Sequence, residues 1–354
     1  MKKSLFQWAS CLGFATICLA PSAFCQQSIV TVPVGANPGA TAVDASTNQV
    51  YVVDEGSDDV SVIDGQSNTV KTTKTGMQPS DVAVNALTHI GYVANNNSNT
   101  VTAMYGNGSK RKTISVGQSP VAVAVNQITN RIYVANNGDN TVTVINGDNL
   151  ETRTIPVGLG PFHIAVNSAT NKVYVSDVLG SDVTVIDGTS YETTTIPVAA
   201  SSYAIAINES TNKIYVGNGN GSVITVIDGG TNTTSEISVP PQPSLLAVNP
   251  VTNKVFVLSC VYQGALVVID GATATIEQQI PIGTQLNTVS VNTVTNSIYV
   301  VDGASMNLTI IDGASYAISF APVGSAPSGA TVNPTTNKVY VSNSNDGTMT
   351  VLSF

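Results

Sequence analysis

Two histidines and four cysteines supply every imidazole and thiol in this 354-residue chain, as metal ligand or as nucleophile. Charged residues make up 10% of it, against roughly 25% in an average soluble protein. A zinc protease needs H-E-x-x-H, a structural zinc paired C-x-x-C, an esterase a G-x-S-x-G elbow, and a phosphate loop Gly-Lys-Ser/Thr. None of these strings occurs. Gly217-Asn218-Gly219-Asn220-Gly221 lacks the last glycine of a dinucleotide fingerprint and reads as a hairpin turn. The acidic run Asp54-Glu55-Gly56-Ser57-Asp58-Asp59 holds enough carboxylates for calcium, but it reads as a solvated turn. Lys110-Arg111-Lys112, the basic run, reads as a charged outer strand that blocks edge pairing. No cofactor and no metal are expected.

Which side chains can meet depends on the elements that carry them, and those follow from a repeat. Val125-Asn126-Gln127-Ile128-Thr129-Asn130-Arg131-Ile132-Tyr133-Val134 recurs with its aromatic at Tyr51, Tyr92, Tyr133, Tyr174, Tyr215, Phe256, Tyr299 and Tyr340. The spacing is 41 residues, with a single interval of 43. In the third copy the pattern predicts strands at 121–125, 131–135, 141–145 and 152–157, each rich in Val, Ile, Thr and Tyr and bounded by Asn, Asp, Gly or Pro. Asp-Gly pairs at 64–65, 187–188, 228–229, 270–271 and 312–313 predict tight hairpins between third and fourth strands. Four-stranded units of 40 to 45 residues are propeller blades. The last copy stops after its third strand, 349–352, while 29–34 is an orphan fourth strand that can close the ring. The expected fold is all-β: one propeller of eight four-stranded blades over 26–354.

The N-terminus reads as a signal peptide. Lys2 and Lys3 precede a mostly apolar stretch to Ala20, Pro21 breaks it, and Ala23-Phe24-Cys25 offers a cleavage site before Gln26. Cleavage after Cys25 leaves Cys260 as the single thiol, so no disulfide can form within the chain, and moves the net charge from -9 to -11 by removing two lysines. That acidity excludes an electrostatic grip on nucleic acid. Beyond residue 25 no apolar run approaches the roughly 18 residues needed to span a bilayer. A secreted or periplasmic monomer is expected.

The Thr-Asn-x-Ile/Val-Tyr-Val core, the Asn or Asp that follows it, the Val-Ile-Asp-Gly hairpin and the Pro-Val-Gly end resemble the YVTN family of β-propeller repeat proteins. The resemblance covers 29–354 and implies a propeller fold and secretion to the medium or cell surface. It supplies no catalytic residue. No copy reads Tyr-Val-Thr-Asn, and eight blades depart from the seven with which the family commonly closes.

Aligning the copies places the unusual residues. His89 takes the slot of Asn48 and Asn130 in the turn between first and second strands, whereas His163 starts the first strand of blade 4. The two therefore lie on opposite faces of the ring and cannot share a metal ion. At the channel-facing starts of the first strands, Asp81, Phe162, His163 and Tyr203 break the repeat. On the same face, blade 6 carries the unusual Cys260-Val261-Tyr262. Deviation confined to one face of a repeat points to a binding surface. The expected function is therefore that of a non-catalytic binding or interaction scaffold. It would meet a protein or glycan through Asp81, Phe162, His163, Tyr203 and Tyr262. The competing expectation is a metal-assisted, lactonase-like hydrolase or lyase at the channel mouth.

Overall fold

A computed structural model describes residues 28–260 and 264–354. The expected signal peptide and cleavage site, and Tyr262, lie outside the described residues. The remainder folds as eight antiparallel four-stranded sheets arranged in a ring. Strands are lettered A to D here in order across each sheet, A facing the channel. Blade 3 runs Pro120–Asn126, Arg131–Asn136, Thr141–Asn146 and Thr152–Pro156. Each predicted strand is present, displaced by no more than a residue or two. Among the described residues the helical structure is two three-residue turns, Glu55–Ser57 and Asn96–Ser98, and no helix is long and apolar enough to cross a membrane.

Burial explains the composition. B and C strands are covered on both faces by neighbouring blades, so they read as near-continuous Val, Ile and Tyr. D strands bury one residue in five and carry the charge and threonine. Each B-strand aromatic wedges between its own blade and the next. Tyr133, fully buried, packs with Val142 and Ile155 of its own blade and with Ile164, Val173 and Ile186 of blade 4.

The ring closes as the copy count requires. Ser28–Pro33 pairs antiparallel with Thr348–Ser353, supplying the D strand of blade 8. Val32 then joins Tyr340, Met349 and Val351 in a core shared with Val50, Val52 and Ile63 of blade 1.

A second closure runs around the opposite face from the candidate site. The last residue of each A strand reaches the A–B turn of the following blade. Seven of these links are Asn–Asn hydrogen bonds of 2.8 to 2.9 Å, from Asn85 to Asn130 through to Asn333 to Asn48. The accepting asparagines sit in the left-handed region, Asn48 at φ 56° and Asn130 at φ 49°, where asparagine is tolerated better than most residues. The eighth link joins Asp44 to His89 at 2.8 Å, with His89 at φ 56°. A carboxylate only accepts, so the imidazole Nδ1–H must donate.

The Asp-Gly pairs correct the turn expectation. Asp64 and Val70 are joined by five residues, and the left-handed position is Asn68 rather than Gly65. Asp64 Oδ1 accepts the backbone N–H groups of Gln66 and Ser67. Gly65 is required for a different reason: a Cβ there would lie 2.4 Å from Asn48 Oδ1. The glycine thus clears space for the asparagine of the A–B turn.

Candidate functional site: the channel mouth

The A strands begin with a bulge. In blade 4, Pro161 pairs with Asp177 and His163 with Ser176, leaving Phe162 unpaired between them. The same irregularity recurs at Ser80, Val121, Tyr203, Ser244, Asn287 and Ser328. A bulge turns a side chain out of the ladder, so this column faces the mouth and escapes the packing rules that keep the copies alike.

Three of the bulge residues tie blades together. Ser80 Oγ donates to the Pro120 carbonyl at 3.0 Å, Asn287 Nδ2 to Pro327 at 2.9 Å and Ser328 Oγ to Pro38 at 2.8 Å. Phe162 has no donor to do this, and the Tyr203 ring packs against it instead. They remain 44% and 36% exposed, and their rings meet edge to face at 5.7 Å and 67°, a favourable geometry for opposed quadrupoles.

These aromatics border a cavity of about 380 Å³ spanning the A strands of blades 4 to 7, with His163, Leu245, Leu246 and Thr288 along its wall. Tyr203 is held upright by what lies beneath it. A Cβ on Gly219 would fall 2.4 Å from Tyr203 Cδ2, so the glycine-rich B–C corner of blade 5 is a seat for the tyrosine ring. On the far side of that ring a second hollow of about 240 Å³ is lined by Asn220 and Gln242. A third concavity, about 270 Å³ on the outer rim between Pro281 and Phe320, is lined by no titratable side chain.

His163 is half-buried, and burial pulls its pKa down to about 4, so the imidazole is neutral at physiological pH. Its backbone N–H donates to Ser176 Oγ at 2.8 Å, and its Nδ1 is buried with no partner. No carboxylate lines the cavity among the described residues. Asp81 stands apart from this group. Its carboxylate accepts from the Val82 N–H at 2.8 Å and from the Val123 N–H of blade 3 at 2.9 Å, clamping two blades. Burial pushes its pKa up to about 6, against the pull of those two donors.

The structure thus brings Phe162, His163 and Tyr203 together and leaves Asp81 in blade 2. Cys260 Sγ lies 3.3 Å from Ser244 Oγ. Sequence reading gives Gly219 only a place in a hairpin turn and misses the apolar wall of Leu245 and Leu246. The glycine cluster was the available signal, since glycine replaces a longer residue at the blade position where Tyr203 appears.

The acidic run 54–59 is not a solvated turn at its ends. Asp54 and Asp59 are buried, at 0% and 5% exposed, while Glu55 between them faces water. Lys74 Nζ meets Asp59 Oδ2 at 2.9 Å, and burial pushes the Asp54 pKa up to about 7.

Neither a family model nor a curated protein sequence matches the chain. Several solved structures are similar to it in fold. Saccharomyces cerevisiae Sqt1 has a TM-score of 0.78 at 10% identity, covering 92% of this chain and 98% of its own. A streptogramin B lyase gives 0.63 at 12%, covering 92% and 97%. Kuenenia stuttgartiensis hydrazine synthase gives 0.62 at 16%, covering 90% and 96%. At such identities the likeness extends to the fold alone.

Proposed function

We propose that this chain is an exported binding propeller of the YVTN-repeat type, non-catalytic, which seats a protein or glycan partner on the Phe162–Tyr203 pair at the channel mouth. One observation carries the reading: two aromatics stand exposed on a bulge column whose other members are mostly small or polar, above a cavity with a neutral imidazole and no carboxylate. Acid–base catalysis needs a donor and an acceptor that titrate near the working pH, and His163, pulled down to about 4, is neutral there. Exposed aromatic rings instead give contact area at small cost in side-chain freedom, the usual anchor of a recognition surface.

The test is a glycan array together with a screen of extracytoplasmic proteins, followed by titration of each hit. Phe162→Ala and Tyr203→Ala should each weaken binding at least tenfold without moving the urea midpoint. Gly219→Ala, which drives a methyl into the Tyr203 ring, should weaken it comparably. Hydrolysis or elimination of a lactone that is lost in His163→Ala would replace this reading with the enzymatic one. Export is tested separately: intact mass of secreted protein should begin at Gln26, and retention of residues 1–25 would refute that part.

A further inference from the structure

The D strands carry positive charge on one side of the ring only. In each blade one D-strand residue stands opposite the same C-strand position, that of Val62, Ala103 and Val144 in blades 1 to 3. There it is Lys71, Lys112 and Arg153, a cation at each repeat of the period. In blades 4 to 8 the column reads Thr194, Ser235, Gln278, Ser319 and Val30, without charge. Blade 2 adds Lys110 and Arg111 just before its lysine, and all five cations are exposed. Acids withdraw from the same stretch. The C strand ends in aspartate in blades 1, 4, 5, 6 and 7, but in Tyr105 in blade 2 and Asn146 in blade 3.

None of the five makes an ion pair among the described residues, whereas Lys74 beside them meets Asp59, and Lys213 and Lys254 meet Asp228 and Asp270. Neutral contacts position three of them. Lys71 Nζ donates to Asn107 Oδ1 at 3.3 Å and to Ser109 Oγ, and Arg111 Nη1 to the Lys74 carbonyl at 2.6 Å. Arg153 Cζ rests 4.8 Å from the Tyr191 ring centroid. Each contact crosses to a neighbouring blade and leaves the charge uncompensated.

Alternation along the strand sends these charges into the grooves between blades. Ile114 is buried against Val123 and Ile132 of blade 3, so Lys110 and Lys112, on its side of the strand, face blade 3 too. Arg111 faces blade 1. Between blades 2 and 3 lies a hollow of about 390 Å³, bordered by Lys112, Thr113, Leu150 and Thr152 and by no carboxylate among the described residues. Between blades 3 and 4 a smaller one, about 170 Å³, holds Arg153 and Tyr191. Glu151 borders it as well, accepting from Asn149 Nδ2 at 2.8 Å.

We propose that the outer rim of blades 1 to 3 binds a linear anionic polysaccharide, bearing carboxylate or sulfate groups, laid across successive D strands. Lys71, Lys112 and Arg153 set one cation at each of three blade boundaries. Between the charges, the hydroxyls of Thr113 and Thr152 and the side of Leu150 offer a sugar ring hydrogen-bond partners and an apolar floor. An anionic bilayer fits this rim less well. The large apolar side chains exposed on D strands, Ile29, Val30, Ile318 and Phe320, all belong to blades 7 and 8.

Heparin and polygalacturonate are the probes, titrated by calorimetry, with dextran as the uncharged polymer and phosphatidylglycerol vesicles as the bilayer. At least one charged polymer should bind and dextran should not. Raising NaCl from about 50 to about 500 mM should weaken binding about tenfold or more, because screening shortens the reach of exposed charges. Lys71→Thr, Lys112→Thr and Arg153→Thr together install the residue that blade 4 carries as Thr194, so the ring should fold, and binding should fall about tenfold or more. Lys110→Gln with Lys112→Gln, a milder pair, should move it in the same direction. Thr194→Glu, Ser235→Glu and Ser319→Glu change the net charge equally on the other side of the ring and should leave binding within about twofold. The site is overturned if neither charged polymer binds, if dextran binds as well as they do, or if binding survives loss of the three cations. Equal loss in both triple variants would trace binding to net charge, and vesicles held more tightly than the polymers through the same cations would make the rim a membrane surface; either also overturns it.

Discussion

Replacing His89 with glycine should remove a single donor from the ring of inter-blade links and leave the backbone at ease. Position 89 sits at φ 56°, which glycine adopts freely, so the loss reports the hydrogen bond rather than strain. Asp44 is fully buried and the imidazole is 45% exposed. A hydrogen bond to a charged group is worth about 1.5 to 3 kcal/mol, and the exposed half of the imidazole argues for the lower end, about 1.5 kcal/mol. His89→Asn should lie within about 0.5 kcal/mol of wild type, because a rotated amide can donate Nδ2–H to the carboxylate. The pH dependence supplies an independent check. Burial raises the Asp44 pKa, but the donors Ser46, His89 and Thr47 outweigh it and hold the carboxyl below its ordinary 3.8. A depressed folded pKa contributes stability that is present above the unfolded value and lost as pH falls through the folded one. The gap between wild type and His89→Gly should therefore be full at pH 7 and shrink below about pH 4. Urea melts at pH 7, 4 and 3 measure it. Equal stability of the Gly and Asn variants at pH 7, or a gap that persists unchanged at pH 3, would refute the assignment.

Tyr133→Ala should cost about 3 to 5 kcal/mol in urea melts, as for other large buried side chains, and a loss below about 1 kcal/mol would contradict the wedge between blades. Tyr133→Phe should be nearly neutral, since the Tyr133 hydroxyl is buried without a partner, whereas Tyr51→Phe should cost about 1 kcal/mol because Tyr51 Oη donates to the Gly106 carbonyl at 2.9 Å. Deleting residues 26–34 strips the D strand from blade 8 and bares the edge of Thr348–Ser353. A lower midpoint and oligomers on size-exclusion chromatography are expected; an unchanged melt and a clean monomer would mean that the strand does not latch the ring.

The fold was legible because it is written eight times. Any one blade offers four short β-prone runs that suit several β architectures, but a spacing of 41 residues, an orphan fourth strand at 29–34 and a last copy that lacks one admit a closed ring. Less legible was what holds neighbouring copies together. The asparagines that link blades are spaced 45 residues apart, as in Asn85 and Asn130, four more than the period. They look in the sequence like two unrelated turn signals, an Asx turn and a left-handed residue. Their joint role emerges only once successive blades are side by side. The same applies to Asp-Gly, whose glycine answers to an asparagine seventeen residues earlier and not to its own turn.

The candidate site divides along a similar line. Sequence comparison finds a residue that departs from its column, and Asp81, Phe162, His163 and Tyr203 depart equally. Departure alone does not say whether a side chain has been freed or re-employed. Asp81 was re-employed: two backbone N–H groups across a blade boundary occupy its carboxylate. Phe162 and Tyr203 were freed: they sit one position earlier, at the bulge, where Phe162 has no donor for the carbonyl of the next blade and the Tyr203 ring stands 36% exposed against Phe162 instead. The difference between the two outcomes is one residue of register, and a bulge is what converts that single residue into a change from packed to presented.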